Sequence, residues 1–124
     1  IYLSDDAQTV EKKISSAITD ENRKRREDPG NPEVCVLFDY HKLHSPKETV
    51  QKVDQECRHA KIGCVEDKKL IAKTLNLFLD PIRKRREEFM KNSSLLDEIL
   101  EEGAQKASRL AEITLGKVRK AMHV

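Results

Sequence analysis

Apolar residues recur at intervals of three and four along most of this chain, which is the spacing of one face of an α-helix. The first such stripe runs over residues 7–18, and Ser4, Asp5 or Asp6 can cap the helix that carries it. We expect this helix to end at Thr19-Asp20, before a polar loop over residues 21–30 whose turn is Pro29-Gly30. The stripe consists of Ala7, Val10, Ile14, Ala17 and Ile18.

Two shorter helices are predicted next. Asn31 is predicted to cap the second helix, and Pro32 to be its first residue. Ser45-Pro46 with Glu48 predicts the start of the third, with Ser45 as its cap, and this helix should end before Gly63. The apolar faces comprise Val34, Leu37 and Phe38 in the second helix and Val50, Val53 and Cys57 in the third.

A fourth helix is predicted from about Asp67. Pro81 removes a backbone donor, and we expect a kink there rather than a break because the apolar stripe continues to Phe89. The sequence Asn92-Ser93-Ser94 is predicted to end it and to cap a last, long helix. The apolar and small positions of these helices are Leu70, Ile71, Leu75, Phe78 and Ile82, then Leu96, Leu100, Gly103, Ala107, Leu110, Thr114 and Val118.

The predicted fold is therefore all-α, a bundle of about five helices with a long C-terminal helix, in one domain over residues 1–124. Hydrophobic and charged residues each make up 37% of the chain, which suits a solvated helical domain with a narrow apolar seam. A net charge of +2 is too weak for a general polyanion binder, so any nucleic-acid surface must come from local patches.

Other sequence features favour a cytoplasmic protein. No apolar run approaches the roughly 18–20 residues that a membrane span requires, and no signal-peptide pattern opens the chain. Three cysteines, an odd number, fit poorly with a secreted disulfide framework. The chain also begins at Ile1 without an initiator Met, and we expect it to be a fragment of a longer protein.

The three cysteines and one aspartate have the spacing of a ligand set. Cys35 is followed by twenty-one residues and Cys57, then by six residues and Cys64, then by two residues and Asp67. Asp67 stands where a metal-binding sequence would normally offer the second cysteine of Cys-x-x-Cys. Three interpretations stay open: an active metal site, a site that has lost a ligand, or thiols that pack as small hydrophobic groups. Zinc bound by three cysteines and Asp67 or His59 is chemically allowed.

Six stretches carry a recognisable sequence: Ile1–Asp6, Glu11–Asp20, Pro29–Val34, Phe78–Arg83, Glu102–Ala107 and Val118–Met122. Taken in order, they resemble bacterial tryptophanyl-tRNA synthetases, and the likeness covers nearly the whole chain. The resemblance implies the C-terminal helical, anticodon-recognising domain of a class I tryptophan–tRNA ligase, with tRNA-Trp as partner and no membrane or DNA partner. The nucleotide-binding domain, which uses ATP and Mg²⁺, is absent, so we expect an inactive fragment of an enzyme whose parent is a homodimer.

Some members of this family carry a four-cysteine iron–sulfur site near the anticodon. Cys35, Cys57 and Cys64 look like its first three ligands, and Asp67 stands at the position of the fourth. A [4Fe–4S] cluster is normally held by four thiolates, so a carboxylate would be an unusual ligand. The resemblance therefore implies an iron–sulfur or zinc site, or the remnant of one.

Basic residues beside the cysteines are candidate tRNA contacts. Arg58, His59 and Lys61 could contact phosphates or bases of the anticodon arm, and Lys68 and Lys69 could extend the same patch. The alternative is a solvated turn with ordinary basic residues.

Two basic runs, Arg23–Arg26 and Arg83–Arg86, are each followed by acidic residues that cancel much of their charge, which favours a solvated loop and a helix face. The sequence shows no paired carboxylates and no nucleophile–His–acid set, so no catalytic residue is predicted. Two further hypotheses remain: a stand-alone helical interaction module, and an iron–sulfur domain that senses redox state.

Overall fold

The computed structural model describes residues 1–123, and every regular element within them is a helix. A single 3₁₀ turn, Pro32–Val34, precedes the second α-helix. The all-α prediction, with five helices and a long last helix, is confirmed. The α-helices are α1 (Ala7–Ser16), α2 (Val36–His44), α3 (Lys47–Arg58), α4 (Cys64–Lys91) and α5 (Ser93–Met122).

Two side-chain caps that the sequence suggested are present, but only one of them begins an α-helix. The Asp6 carboxylate accepts a hydrogen bond from the Thr9 amide at 2.7 Å, which satisfies an otherwise free donor at the start of α1. The Asn31 side chain caps the 3₁₀ turn instead of an α-helix, because extended backbone at Cys35 separates that turn from α2. The α-helix predicted from Pro32 therefore begins only at Val36.

The prediction that Ser45 caps α3 is wrong. Pro46 occupies the cap position without a side-chain cap bond, while the Ser45 hydroxyl lies 2.7 Å from Nδ1 of His41. Because the Ser45 hydroxyl bonds to His41, it does not cap the amides of α3. Downstream, α4 begins at Cys64, earlier than predicted, and continues as one helix through Pro81 to Lys91.

The first compact unit, Ile1–Lys84, holds the hydrophobic core. Leu37 and Ile71 are fully buried at its centre. The predicted face of α4 is only partly correct, because Phe78 is 50% exposed and the neighbouring Leu79 is buried instead. Ile18, predicted on the α1 stripe, lies beyond the end of α1 and is 70% exposed. The core residues are Val10, Ile14, Cys35, Leu37, Phe38, Val53, Ile71, Ala72, Leu75 and Leu79.

The second unit begins at Arg85 and contains the end of α4 and the whole of α5. The Asn92 side chain caps α5 by accepting from the Leu95 amide. Within the described part of the chain, α5 contributes no buried residue. No helix among residues 1–123 combines the length and the apolar character that crossing a membrane requires.

Candidate nucleic-acid interface

A polar loop over residues 20–31 closes against the beginning of α4 and the end of α3. Asp20 is buried, and its carboxylate accepts hydrogen bonds from the Asn31 amide at 2.8 Å and the Asn22 amide at 2.9 Å. These two backbone donors lower the pKa of the Asp20 carboxyl. An ionised Asp20 therefore ties both ends of the loop together.

Arg23 extends from this loop to the cysteines. Its Nη2 atom donates to the carbonyl oxygens of Arg26 at 2.7 Å and Ile62 at 2.9 Å. Its Nη1 atom lies 3.9 Å from Sγ of Cys57 and 3.8 Å from Sγ of Cys64. One guanidinium group thus joins the loop to the end of α3 and to the beginning of α4. The Nε atom is buried and has no hydrogen-bond partner among the described residues, so the cation is not fully satisfied.

Gly30 allows the loop to approach Cys57 closely. Its amide donates to the Cys57 carbonyl oxygen at 3.0 Å. A Cβ atom at Gly30 would lie 2.5 Å from Sγ of Cys57, too close for any side chain at this position without a shift. The absence of a side chain is therefore a packing requirement here.

Burial controls the ionisation of two cysteines. Desolvation raises the pKa of the Cys35 thiol and of the Cys57 thiol, although the Arg23 cation opposes the rise at Cys57. Metal ligation requires thiolates. In this arrangement both groups are therefore thiols at neutral pH, packed as small hydrophobic side chains.

Asp67 is held by a histidine that the sequence interpretation did not single out. His41 is fully buried, and its Nε2 atom lies 3.0 Å from Oδ1 of Asp67. With the proton on Nε2, Nδ1 accepts from the Ser45 hydroxyl at 2.7 Å. The result is a buried chain of hydrogen bonds that connects α2, the start of α3 and α4. Because His41 is fully buried and the Ser45 hydroxyl is engaged with its imidazole, we assign this set of hydrogen bonds a structural role.

The observed arrangement does not fit a four-ligand metal site. Among residues 1–123, no group of three or more His, Cys, Asp or Glu side chains has a geometry that could hold a metal ion. Asp67 is committed to His41, and the Arg23 cation lies against Cys57 and Cys64. Binding of iron–sulfur or zinc at this set therefore stays a prediction that needs a rearrangement.

Arg58 differs from the other candidate tRNA contacts because acidic partners surround it. Its guanidinium donates to Glu33 at 3.0 Å and to Asp54 at 3.1 Å. Hydrogen bonds to these two carboxylates, of which Glu33 has the larger effect, raise the pKa of the Arg58 guanidinium. Arg58 is thus fixed and neutralised in part, and binding a phosphate there would compete with two carboxylates.

His59 and Lys61 lie in the turn after α3, where the chain reverses through Ala60 at a φ of 56°. Both side chains are exposed. Nδ1 of His59 lies 2.7 Å from the Gln55 carbonyl oxygen, which orients the imidazole. Both residues line a shallow hollow of about 400 Å³ on α3.

Lys68 and Lys69 belong to a different surface. They line a cleft of about 760 Å³ between α1 and α4, which shares no lining residue with the hollow at His59 and Lys61. The structure therefore divides the predicted basic patch into two. The sequence interpretation also missed Lys12 and Lys73, which line the same cleft. The spacing of Lys69 and Lys73 indicated a shared helix face, but nothing local indicated that α1 would lie beside it.

A comparison with protein families identifies one match. Residues 1–80 match the model for tRNA synthetases of class I (W and Y), which is more than half of the chain. The matched range includes the loop, all three cysteines and both basic surfaces.

Curated relatives extend the likeness to the whole chain. A tryptophan–tRNA ligase from Aquifex aeolicus is 41% identical over 125 residues, covering 100% of this chain and 32% of the relative. One from Deinococcus radiodurans is 41% identical over 86% of this chain, and one from Streptococcus pyogenes serotype M1 is 39% identical over 100% of it. The chain spans about a third of the length of these relatives, 32% to 37%.

Proposed function

Because the chain belongs to the class I tRNA synthetases of the tryptophan and tyrosine group, we propose that it is the C-terminal helical part of a tryptophan–tRNA ligase. In that role it holds the anticodon arm of tRNA-Trp. A nucleotide-binding domain elsewhere in the protein activates tryptophan with ATP and Mg²⁺ and charges the tRNA. The parent enzyme is proposed to be a homodimer.

The similarity to tryptophan–tRNA ligases over the entire chain carries this proposal. Positioning requires rigid elements beneath the contact, since a small displacement at the anticodon end is transmitted to the acceptor end. The buried core of residues 1–84 supplies such a base.

The turn after α3 provides chemistry suited to an RNA loop. Splayed bases of single-stranded RNA are recognised by stacking and by hydrogen bonds to their edges, while cations hold the phosphates. His59 offers an oriented, exposed imidazole, and Lys61 offers an exposed ammonium two residues away. Arg58 acts mainly in holding the turn, through Glu33 and Asp54.

Binding of the purified chain to tRNA tests the proposal. We expect tRNA-Trp to bind more tightly than the same transcript with a changed anticodon, measured by fluorescence anisotropy. Replacing His59 and Lys61 by alanine should weaken tRNA-Trp binding roughly 30-fold and reduce this discrimination, since two contacts of about 1 kcal/mol each contribute about 2 kcal/mol together. Lys47→Ala, at the other end of α3, serves as the control. Equal affinity for both transcripts would refute a role in anticodon recognition.

A further inference from the structure

The cleft between α1 and α4, which we call the lysine cleft, is built from one face of each helix. The α1 residues follow a spacing of three and four from Gln8 to Ser15, and the α4 residues do the same from Val65 to Lys73. Ala72 is buried, and Val65 is exposed at one end. The cleft is thus an apolar trough with polar walls rather than a flat charged surface.

Its charge is strongly one-sided. Lys12, Lys68, Lys69 and Lys73 line the cleft, and Glu11 is the only carboxylate among its lining residues. This imbalance is unexpected in a chain whose net charge is only +2. A local concentration of positive charge of this kind attracts an anionic ligand, and four cations in one cleft exceed what a single small anion needs.

Three of these lysines are available to a ligand. Within residues 1–123, no salt bridge joins Lys12, Lys69 or Lys73 to an acidic side chain. Some lysines elsewhere in the structure are paired instead, as Lys13 is with Asp5 at 2.7 Å and Lys42 with Asp39 at 2.8 Å. Lys68 differs, because its ammonium donates to the Ser15 carbonyl at the end of α1 at 2.8 Å and so holds the two helices together.

The spacing of the cations suits a chain of phosphates. Lys69 and Lys73 are one turn apart, about 6 Å along the helix axis, which is comparable with the separation of neighbouring phosphates in a nucleic-acid strand. Lys12 faces them from α1. An extended polyanion can therefore contact both walls while its sugars lie over the apolar floor.

The lysine cleft also adjoins a second basic hollow. Val65 lines both, and the second hollow, of about 400 Å³, is lined by the basic run that begins at Arg23 and by Cys64. Lys24 and Arg25 are exposed there. Arg26 pairs at 3.2 Å with Glu66, which also lines this hollow. Lys24 and Arg25 therefore extend the positive surface of the lysine cleft over a path longer than one phosphate group.

We propose that the lysine cleft binds the phosphodiester backbone of RNA. The proposal rests on the proposed function, since tRNA is the RNA that the chain would hold. Lys12, Lys69 and Lys73 contact phosphates, and Lys68 sets the separation of the cleft walls. These contacts add affinity and fix the register of the RNA without reading its sequence, in contrast to the exposed turn at His59 and Lys61.

The test compares two triple variants of the whole chain for binding to tRNA-Trp across a range of salt concentrations. One variant carries Lys12→Gln, Lys69→Gln and Lys73→Gln; the control carries Lys47→Gln, Lys91→Gln and Lys117→Gln and loses the same total charge. Lys68 is left intact because it has a structural contact. Circular dichroism confirms that each variant is folded before affinities are compared.

We expect the cleft variant to bind roughly 10- to 100-fold more weakly in 0.1 M salt, with the slope of log affinity against log salt smaller in magnitude by about 2, since about three phosphate contacts are lost. Its preference for tRNA-Trp over the anticodon-changed transcript should be unchanged. The two proposals are separable, because equal affinity of the unchanged chain for both transcripts would refute anticodon recognition and leave the cleft in place.

Two outcomes overturn the lysine cleft. If the cleft and control variants lose affinity equally, the lysines act only through total charge. If the cleft variant binds tRNA with the same affinity as the unchanged chain, the cleft does not bind RNA. An acidic protein segment is then the alternative ligand to test. Failure of the unchanged chain to bind any tRNA refutes both proposals together.

Discussion

At the scale of single residues, position 67 can serve either a hydrogen bond to His41 or a set of four thiols. Its carboxylate now accepts from buried His41, which itself lies between Asp67 and Ser45. A cysteine there would complete a four-thiol set with Cys35, Cys57 and Cys64. It would also leave the imidazole without its acceptor. The two arrangements therefore compete for one position.

Asp67→Cys should consequently destabilise the metal-free chain. We expect a loss of about 1–3 kcal/mol in the free energy of unfolding, because a buried imidazole N–H loses its hydrogen bond. Urea unfolding under anaerobic, metal-free conditions measures it, with Asp67→Asn as a control that keeps an acceptor oxygen. Iron and zinc analysis and the absorbance near about 400 nm, after anaerobic purification of both chains, test metal binding directly. An unchanged or greater stability of Asp67→Cys without metal would show that the His41 contact contributes nothing.

Individual residues also show what local sequence can and cannot predict. Asp6 and Asn92 cap their helices as expected, since a cap bonds to amides two or three residues away. Ser45 had the same local signal, but its hydroxyl bonds to the buried His41 and not to an amide of α3. Arg23 lies thirty-four residues from Cys57 in the chain, and no local pattern could indicate that its guanidinium reaches that thiol.

At the scale of elements, periodicity predicted all five helices and the main buried residues of α1, α2 and α3, but only part of the buried face of α4. In α4 the buried face passes through Ile71, Leu75 and Leu79, as the packing against the other helices of residues 1–84 requires. Phe78 shares the apolar composition and remains half exposed. Helical spacing is a property of one segment, whereas burial depends on its neighbours.

The glycines of α5 allow a direct test at this scale. Gly103 and Gly116 lie inside a long helix, and an added Cβ at either position meets no atom of its own unit within 4 Å. Each Gly→Ala replacement should therefore stabilise α5 by roughly 0.5–1 kcal/mol, because alanine loses less backbone entropy on forming a helix. Thermal unfolding followed by far-UV circular dichroism provides the measurement. Ala104→Gly is the control and should have the opposite effect.

A loss of stability on Gly103→Ala would contradict this expectation. It would show instead that another helix approaches the small side chains at Gly103, Ala104 and Ala107 closely enough to exclude a methyl group. The same measurement thus tests whether the small residues of α5 form a contact surface in solution.

At the scale of the whole molecule, the composition gave the net charge but not the distribution of charged residues over the surface. The nearly balanced totals of 24 basic and 22 acidic residues correctly indicated that any basic surface must be local. The residues of the lysine cleft come from segments more than fifty positions apart, so only the fold reveals them. The cysteine set, by contrast, was visible from spacing alone, although the Arg23 and His41 contacts that shape it were not.

The two units should also differ in local stability. Residues 1–84 contain every buried core residue of the described chain, whereas α5 contains none. Amides near Val10, Ile14 and Ile71 should therefore exchange with deuterium at least on the order of 100-fold more slowly than amides of α5, because an isolated helix opens without breaking a core. Hydrogen exchange followed by mass spectrometry measures both in one sample. Equal protection that disappears on tenfold dilution would mean that copies of the chain associate through α5, and equal protection at every concentration would show that α5 is stabilised within a single molecule.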